Sequence, residues 1–380
     1  GDPVQARIRI AFATEQGVTL GSKAYGYRQA FRNSPSTEDL RLLHAVLVES
    51  WGEVPHLIDP TAGGGSIPFE AVRYGIKATA NDLNPVSAAL LRAGVAATSQ
   101  FGPDLRLDLE RFGTVVAERV RDELEPFFSL PDASDNNSFI FARTVACPRT
   151  GKVVPLAPNW WLLKDKGGVA VRLVTERNGM QLDAPEFEIV TGKAIDFDPD
   201  NGTVARGTGV SPWDGLAIDG DYIKSEAQAG RMGSILYAVA TRIGKKRGFR
   251  APTQTDLDAL EAAESALAEK LPEWIASDVI PGEAIDAISN YDRGHRLYGM
   301  NYWRDMFSPR QLLVHGTFVE EFRKLIPEVR EQVGDSDRAA AILALLTMMQ
   351  GKAVNYNSFM ASWHVSRGMM RSVFERHDFA

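Results

Sequence analysis

The sequence predicts an α/β fold: a doubly wound, Rossmann-like parallel core, incomplete within this chain, with a small β-rich insertion and a helical region. Three observations carry the prediction. Residues 36–99 alternate between helical and strand-like segments. Residues 138–220 hold short Val, Ile, Leu and Trp runs broken by Pro, Gly and Asp, the pattern of small antiparallel strands. Residues 253–380 turn helical. The expected organisation is therefore an N-terminal segment and α/β core over 1–137, a β-rich insertion over 138–252, and a helical region over 253–380.

Each element has a local cause. Ser36-Thr37-Glu38-Asp39 is a capping box ahead of Leu40, Leu43 and Leu47, which share one helix face. His56-Leu57-Ile58-Asp59-Pro60 is a short apolar strand ending in an acid. Ile67 to Tyr74 reads as a helix, and Lys77 to Asp82 as a second strand ending in an acid. Asn84-Pro85 caps the next helix with proline at its first position. This is a β-α-β unit, the seed of a parallel sheet. Further on, Thr255 to Asp258 opens a helix bearing Leu257, Leu260 and Leu267. Ser308-Pro309-Arg310-Gln311 is another capping box, ahead of Leu312, Phe318, Phe322 and Leu325. A third helix starts near Ser336 and runs rich in Ala, Leu and Met through Met349.

Composition bounds the function. The chain has 380 residues, 44% hydrophobic and 24% charged, the mix of a globular protein with room for two or three domains. No run of about 18 apolar residues occurs, so no membrane span is expected. Gly1-Asp2-Pro3 lacks the basic and apolar regions of a secretory signal. Cys147 is the only cysteine, so no intrachain disulfide can form and a cytoplasmic location is expected. A net charge of -7 argues against a surface that grips phosphate everywhere and leaves room for a local basic groove.

The strongest chemical signal is Asp59-Pro60-Thr61-Ala62-Gly63-Gly64-Gly65-Ser66. Three glycines follow a strand and precede a helix, so the backbone can turn sharply and approach a ligand. Helix starts also offer unpaired N–H groups. Asp82, at the end of the second strand, stands where an acid accepts hydrogen bonds from ribose hydroxyls. The same local pattern fits a plain tight turn. A carboxylate just before the glycines would repel a pyrophosphate and suit a cationic ligand. That favours S-adenosylmethionine, with its ammonium and sulfonium, over NAD. No G-x-x-x-x-G-K-[ST] pattern is present, which disfavours NTP hydrolysis.

The stretch Ile58 to Ala71 resembles the first cofactor motif of amino-directed DNA methyltransferases, and most closely the large adenine-specific DNA methylases that carry a zinc ribbon. Tyr25-Gly26-Tyr27-Arg28-Gln29-Ala30-Phe31 resembles that family's segment ahead of the cofactor domain. Asn81-Asp82-Leu83-Asn84-Pro85-Val86 resembles its second motif, and Gly220 to Glu226 with Ala229 to Gly233 is also similar. The likeness runs over most of residues 20–377. It implies that Asp59, Ala62, Gly63 and Gly65, with Pro60 and Gly64 in the same loop, line the methionine end of the cofactor. It further implies that Asp82 holds the ribose, that Leu83 packs on adenine, and that Asn84 sits near the adenine edge, where it also reads as a simple helix cap.

Two departures from the family stand out. The zinc ribbon uses two C-x-x-C pairs, and here those positions read Cys147-Pro148-Arg149-Thr150-Gly151 and Ser211-Pro212-Trp213-Asp214-Gly215. One thiolate, one carboxylate and two hydroxyls make a poor tetrahedral zinc site, so knuckle-shaped turns without zinc are expected. Amino methyltransferases also need a D/N/S-P-P-Y/F/W tetrapeptide, whose polar groups accept from the target amine and whose ring stacks on a flipped base. None occurs, and the catalytic residues are therefore unassigned. In the family the tetrapeptide follows a segment like Trp363-His364-Val365-Ser366-Arg367-Gly368, so the native chain is expected to continue past Ala380 into it.

The resemblance implies methyl transfer to the adenine amino group of double-stranded DNA, as the modification component of a restriction or phage-defence system, with other defence subunits as partners. The alternatives are a non-catalytic cofactor- or DNA-binding subunit that pairs with a separate catalytic chain, and a methyltransferase acting on RNA or a small molecule. The densest basic run, Arg242-Ile243-Gly244-Lys245-Lys246-Arg247-Gly248-Phe249-Arg250, suits a phosphate backbone, with Phe249 available for stacking; it also reads as a solvated loop. Lys164, Lys166 and Arg172 would join it if the ribbon-like region faces DNA. Trp160-Trp161 reads as a core pair, and His295 and His364 show neither metal spacing nor a nucleophile partner.

Overall fold

The computed structural model describes residues 2–21, 24–26, 34–128, 138–165, 167–243, 246–285 and 294–373. The chain is mixed α/β with small sheets and divides into two compact units. The first comprises Gly1–Leu109 and Val333–Leu345; the second comprises Glu110–Gln332 and Leu346–His377.

In the first unit, α1 (Pro3–Glu15) is capped by the Asp2 carboxylate, with proline at its first position. Helix α2 (Thr37–Trp51) begins at the Ser36/Asp39 capping box and ends at Gly52 in the left-handed region. Strand β1 (Leu57–Asp59) runs into the glycine loop and α3 (Ser66–Arg73). Strand β2 (Ala78–Ala80) lies parallel to β1, with Leu57 opposite Ala78 and Asp59 opposite Ala80. Both strands are shorter than their apolar runs. Helix α4 (Pro85–Leu90) is capped by Asn84, whose Oδ1 accepts the Val86 N–H at 2.9 Å. A π-helical stretch (Leu91–Ala97) leads to α5 (Thr98–Phe101) and then α6 (Leu105–Leu124), which belongs to the second unit from Glu110 on.

The second unit is richer in strands: β3 (Ser138–Ala146), β4 (Val153–Leu156), β5 (Trp161–Leu163), β6 (Val169–Arg177), β7 (Met180–Thr191), β8 (Val204–Ala205), β9 (Thr208–Val210) and β10 (Ala217–Ile218). After α7 (Gly220–Gln228) come β11 (Gly233–Ile243), β12 (Lys246–Arg250), α8 (Gln254–Ala276), α9 (Pro309–Val333), α10 (Ser336–Tyr356), β13 (Ser362–His364) and β14 (Met369–Arg371), with Val333 of α9 and α10 up to Leu345 belonging to the first unit. These strands pair antiparallel in sheets ordered β12-β11-β3-β4, β5-β6-β7, β10-β9-β8 and β13-β14. No described helix is long and apolar enough to cross a membrane.

The core of this unit forms where long-range packing covers the alternating apolar positions. Trp160, Leu162, Val171 and Tyr237 make one cluster, with the Trp160 and Tyr237 rings edge-to-face at 5.7 Å. Trp274 anchors a second cluster with Leu267, Leu312 and Leu313. Its ring lies so close to α9 that a Cβ on Gly316 would meet Trp274 Cζ3 at 2.1 Å, so only glycine fits that helix position. The α8 cap sits at Thr253, two residues earlier than the sequence suggests. Both Thr253 and Thr255 have an aspartate three residues on. The choice falls on Thr253 because its partner Asp256 is fully buried and paired with Arg250, with Nη2 2.8 Å from Oδ1.

Candidate functional site

The glycine loop is built by backbone and carboxylate hydrogen bonds. Asn81 N donates to Asp59 O at 2.9 Å, and Ala62 N donates to Asn81 O at 2.9 Å, so the loop is tied to the end of β2. The Asp82 carboxylate braces it from the other side: Oδ2 accepts the Gly63 N–H at 2.8 Å and Oδ1 accepts the Asn84 N–H at 2.8 Å. Those two donors, Asn84 first, hold the Asp82 carboxyl below the usual carboxylate range. Gly65 adopts φ of 87°, and a Cβ there would meet Leu91 Cδ2 at 2.9 Å. At Gly63 and Gly64 a Cβ would meet nothing within 4 Å among the described residues, which leaves room there for a ligand.

Asp59 is 8% exposed. Its Oδ1 accepts the Thr61 N–H at 3.2 Å, while Oδ2 is buried with no hydrogen-bond partner among the described residues. A buried carboxylate oxygen without a donor is costly, so a cation or N–H donor would be favoured there once a local opening of the loop let it reach Asp59. Pro60 and Thr61 are exposed, and Leu83 is 100% exposed beside Asp82. Asn84 is occupied as a helix cap. A cavity of about 370 Å³ opens beside this site, lined by Asn81 and Asp82 at the end of β2 and by Leu91, Arg92 and Val95. The structure thus brings Asp82 to a cavity wall; Asp59 and the three glycines are outside that lining.

The two knuckle positions fold into turns of the same design. Gly151 N donates to Cys147 O and Gly215 N to Ser211 O, each at 2.9 Å, and both glycines have φ of 72°. The turns face one another, with Cys147 Sγ 3.9 Å from Asp214 Oδ2. Arg149 joins them: Nε donates to Asp214 Oδ2 at 2.6 Å, Nη2 to Oδ1 at 3.0 Å, and Nη1 to Ala217 O at 3.2 Å. Arg149 holds the Asp214 carboxyl well below the usual range. Burial pushes the Cys147 thiol up, and hydrogen bonds from Ser211, Thr150 and the Arg149 backbone more than offset that, leaving it below its ordinary value. These residues do not fit zinc. The donor set is poor, and both oxygens of its one carboxylate already face a guanidinium.

The basic run is a hairpin, with Arg242 opposite Arg247 across β11 and β12. Lys245 and the Lys246 side chain lie outside the described residues, as do Lys166 and the family-like segment Tyr27 to Phe31. Arg250 holds Asp256, and Arg247 donates to the Arg367 carbonyl. Arg242 has contacts of its own. Phe249, the expected stacking ring, is instead edge-to-face with Trp363 at 6.0 Å. Lys164 pairs with Asp200 at 2.6 Å, and Arg172 pairs with Glu188 at 3.3 Å and also with Asp196. Trp160 is a core residue, whereas Trp161 and His295 line a larger cavity that sequence patterning does not reveal. Comparison with models of known families, with curated proteins and with solved structures finds no match to the chain.

Proposed function

We propose that this chain carries the S-adenosylmethionine-binding part of a DNA adenine methyltransferase, with a doubly wound core whose sheet is completed by strands beyond β1 and β2. The observation that supports this reading is the buried, partnerless Asp59 Oδ2 at the base of a loop whose Gly63 and Gly64 face open space. Asp59 would hold the ammonium of the cofactor. Asp82 would accept from ribose hydroxyls with the lone pairs that Gly63 and Asn84 leave over. Leu83 would give the adenine an apolar cover. Bound there, the cofactor supplies a methyl group already activated by its sulfonium charge. The chain's own contribution is orientation and exclusion of water, which can supply roughly 7–11 kcal/mol of barrier reduction.

On this reading the partner is duplex DNA, the setting is a restriction or phage-defence system in the cytoplasm, and zinc plays no part. A second reading follows from the missing D/N/S-P-P-Y/F/W tetrapeptide: a non-catalytic subunit that holds cofactor or DNA for a separate catalytic chain. Isothermal calorimetry with S-adenosylmethionine tests the shared step. Asp82→Ala and Asp59→Asn should each weaken binding about tenfold or more, the scale of a lost hydrogen bond to a charged group. Unchanged affinity in both variants removes the loop from the site. Labelled methyl transfer to duplex DNA, by the chain together with a catalytic part that carries the tetrapeptide, separates the target classes; label appearing only in RNA overturns the DNA assignment.

A further inference from the structure

The second unit encloses a cavity of about 720 Å³, within the roughly 300–1,000 Å³ typical of small-molecule sites. Residues Phe139 to Arg143 of β3 line it, with Phe139, Phe141 and Arg143 on one face of the strand. Trp161, Tyr298, Phe359 and Trp363 form the other walls. The lining combines these rings with aliphatic and small polar residues, and Arg143 is its one lysine or arginine among the described residues.

That cation, like Arg310 over the Phe128 and Phe139 rings, differs from six other arginines of the unit. Arg119, Arg149, Arg172, Arg177, Arg231 and Arg250 each hold a carboxylate. Arg143 holds none among the described residues. Its guanidinium lies over the Phe359 ring at 4.8 Å, and Nη2 donates to Tyr298 O at 3.3 Å. A guanidinium has five N–H donors in a fixed fork, so most of its capacity is unused. Burial draws it below its ordinary pKa, and no acid among the described residues opposes that. Arg143 is half-buried, so an anion entering the cavity would replace water at the N–H groups that Tyr298 leaves over.

We propose that this cavity binds a small anionic compound that contains a flat aromatic ring, the ring lying between the aromatic walls and the anionic group paired with Arg143. The shared chemistry is a planar acceptor pair, which a carboxylate or a phosphate ester both offer to a guanidinium fork. Cation and ring also cooperate, because Phe359 already backs the guanidinium. The site belongs to the second unit and does not depend on the methyl-donor reading.

The test is binding to the full chain by calorimetry, with adenosine 5′-monophosphate and adenosine as one pair, and 1-naphthoate and 1-naphthamide as the other. In at least one pair the anion should bind about tenfold more tightly than its neutral partner. Which pair responds tells a phosphate ester from an aromatic acid. Arg143→Met should abolish that preference, Arg143→Lys should keep part of it, and Asp82→Ala should leave it intact, which separates this site from the glycine loop. The proposal fails if neither anion saturates the chain, if anions and neutral partners bind alike, if inorganic phosphate binds as tightly as the nucleotide, or if Arg143→Met changes nothing. The anion-against-neutral comparison uses the unaltered chain, so it decides the matter even if a variant misfolds.

Discussion

Helices α2 and α9 begin with the same device and end with different energetics. Each opens on a capping box, Ser36 with Asp39 and Ser308 with Gln311. Helix α9 then buries Leu312, Leu313, Leu325 and Val329 in its own unit. Helix α2 has no buried residue, and Leu42, Val46 and Trp51 are 65%, 51% and 73% exposed. The first unit repeats this elsewhere, with Ile58 on β1 at 70% and Ile67 on α3 at 58%. Local signals start a helix equally well in both places. Burial, at about 1.5–3 kcal/mol for each large apolar side chain, is what makes one helix rigidly held and leaves the other dependent on whatever covers it.

The largest effect should come from the buried side of this contrast. Trp274→Ala empties the centre of the α8–α9 cluster and should cost about 3–5 kcal/mol, read as a lower urea midpoint for the second unit. A loss below about 1 kcal/mol would mean that the cluster is not what holds the unit together. In the first unit Gly65→Ala forces an alanine into the left-handed region and against Leu91, for a loss of roughly 1–2 kcal/mol and a displaced glycine loop. Amide exchange at Gly63 and Ala62 should quicken in that variant and stay unchanged in Trp274→Ala.

A smaller effect is set by pH. His315 on α9 is buried, with one ring nitrogen 3.1 Å from Asn357 O and the other 3.0 Å from the Gln350 amide, an arrangement made for the neutral ring. Burial lowers its pKa below the ordinary 6.5. The unfolded chain therefore takes up the proton first as pH falls. The second unit should be fully stable above pH 6.5 and lose stability as pH drops through that value. Urea midpoints at neutral and mildly acid pH check this, and His315→Gln should flatten the dependence. The smallest effect should be Leu42→Ser on exposed α2, within about 0.5 kcal/mol. A larger loss in thermal denaturation would show that this face is covered in solution and would close the gap between the two regions.

Much of the glycine loop was legible because its causes are local. Strand, glycines, Asp82 and the Asn84-Pro85 cap lie within about one β-α-β unit, and each follows from residue type and spacing. Helix α1 had an equally local signal, Asp2-Pro3, that the reading of the N-terminus overlooked. The basic run shows the opposite case. Its charges are plain in sequence, but their use is fixed by Asp256, Trp363 and Arg367, which the sequence does not place beside them.

By itself the sequence determined where α2, α4 and α9 start and where the parallel strand pair lies, because each depends on groups a few residues apart. Tertiary structure alone decided that Thr253 rather than Thr255 caps α8, that Arg149 bridges the knuckles through Asp214, and that Arg143 stands uncompensated among aromatic rings. Those outcomes turn on burial and charge pairing between segments far apart in the chain, and burial is a property of the folded whole rather than of any window of residues.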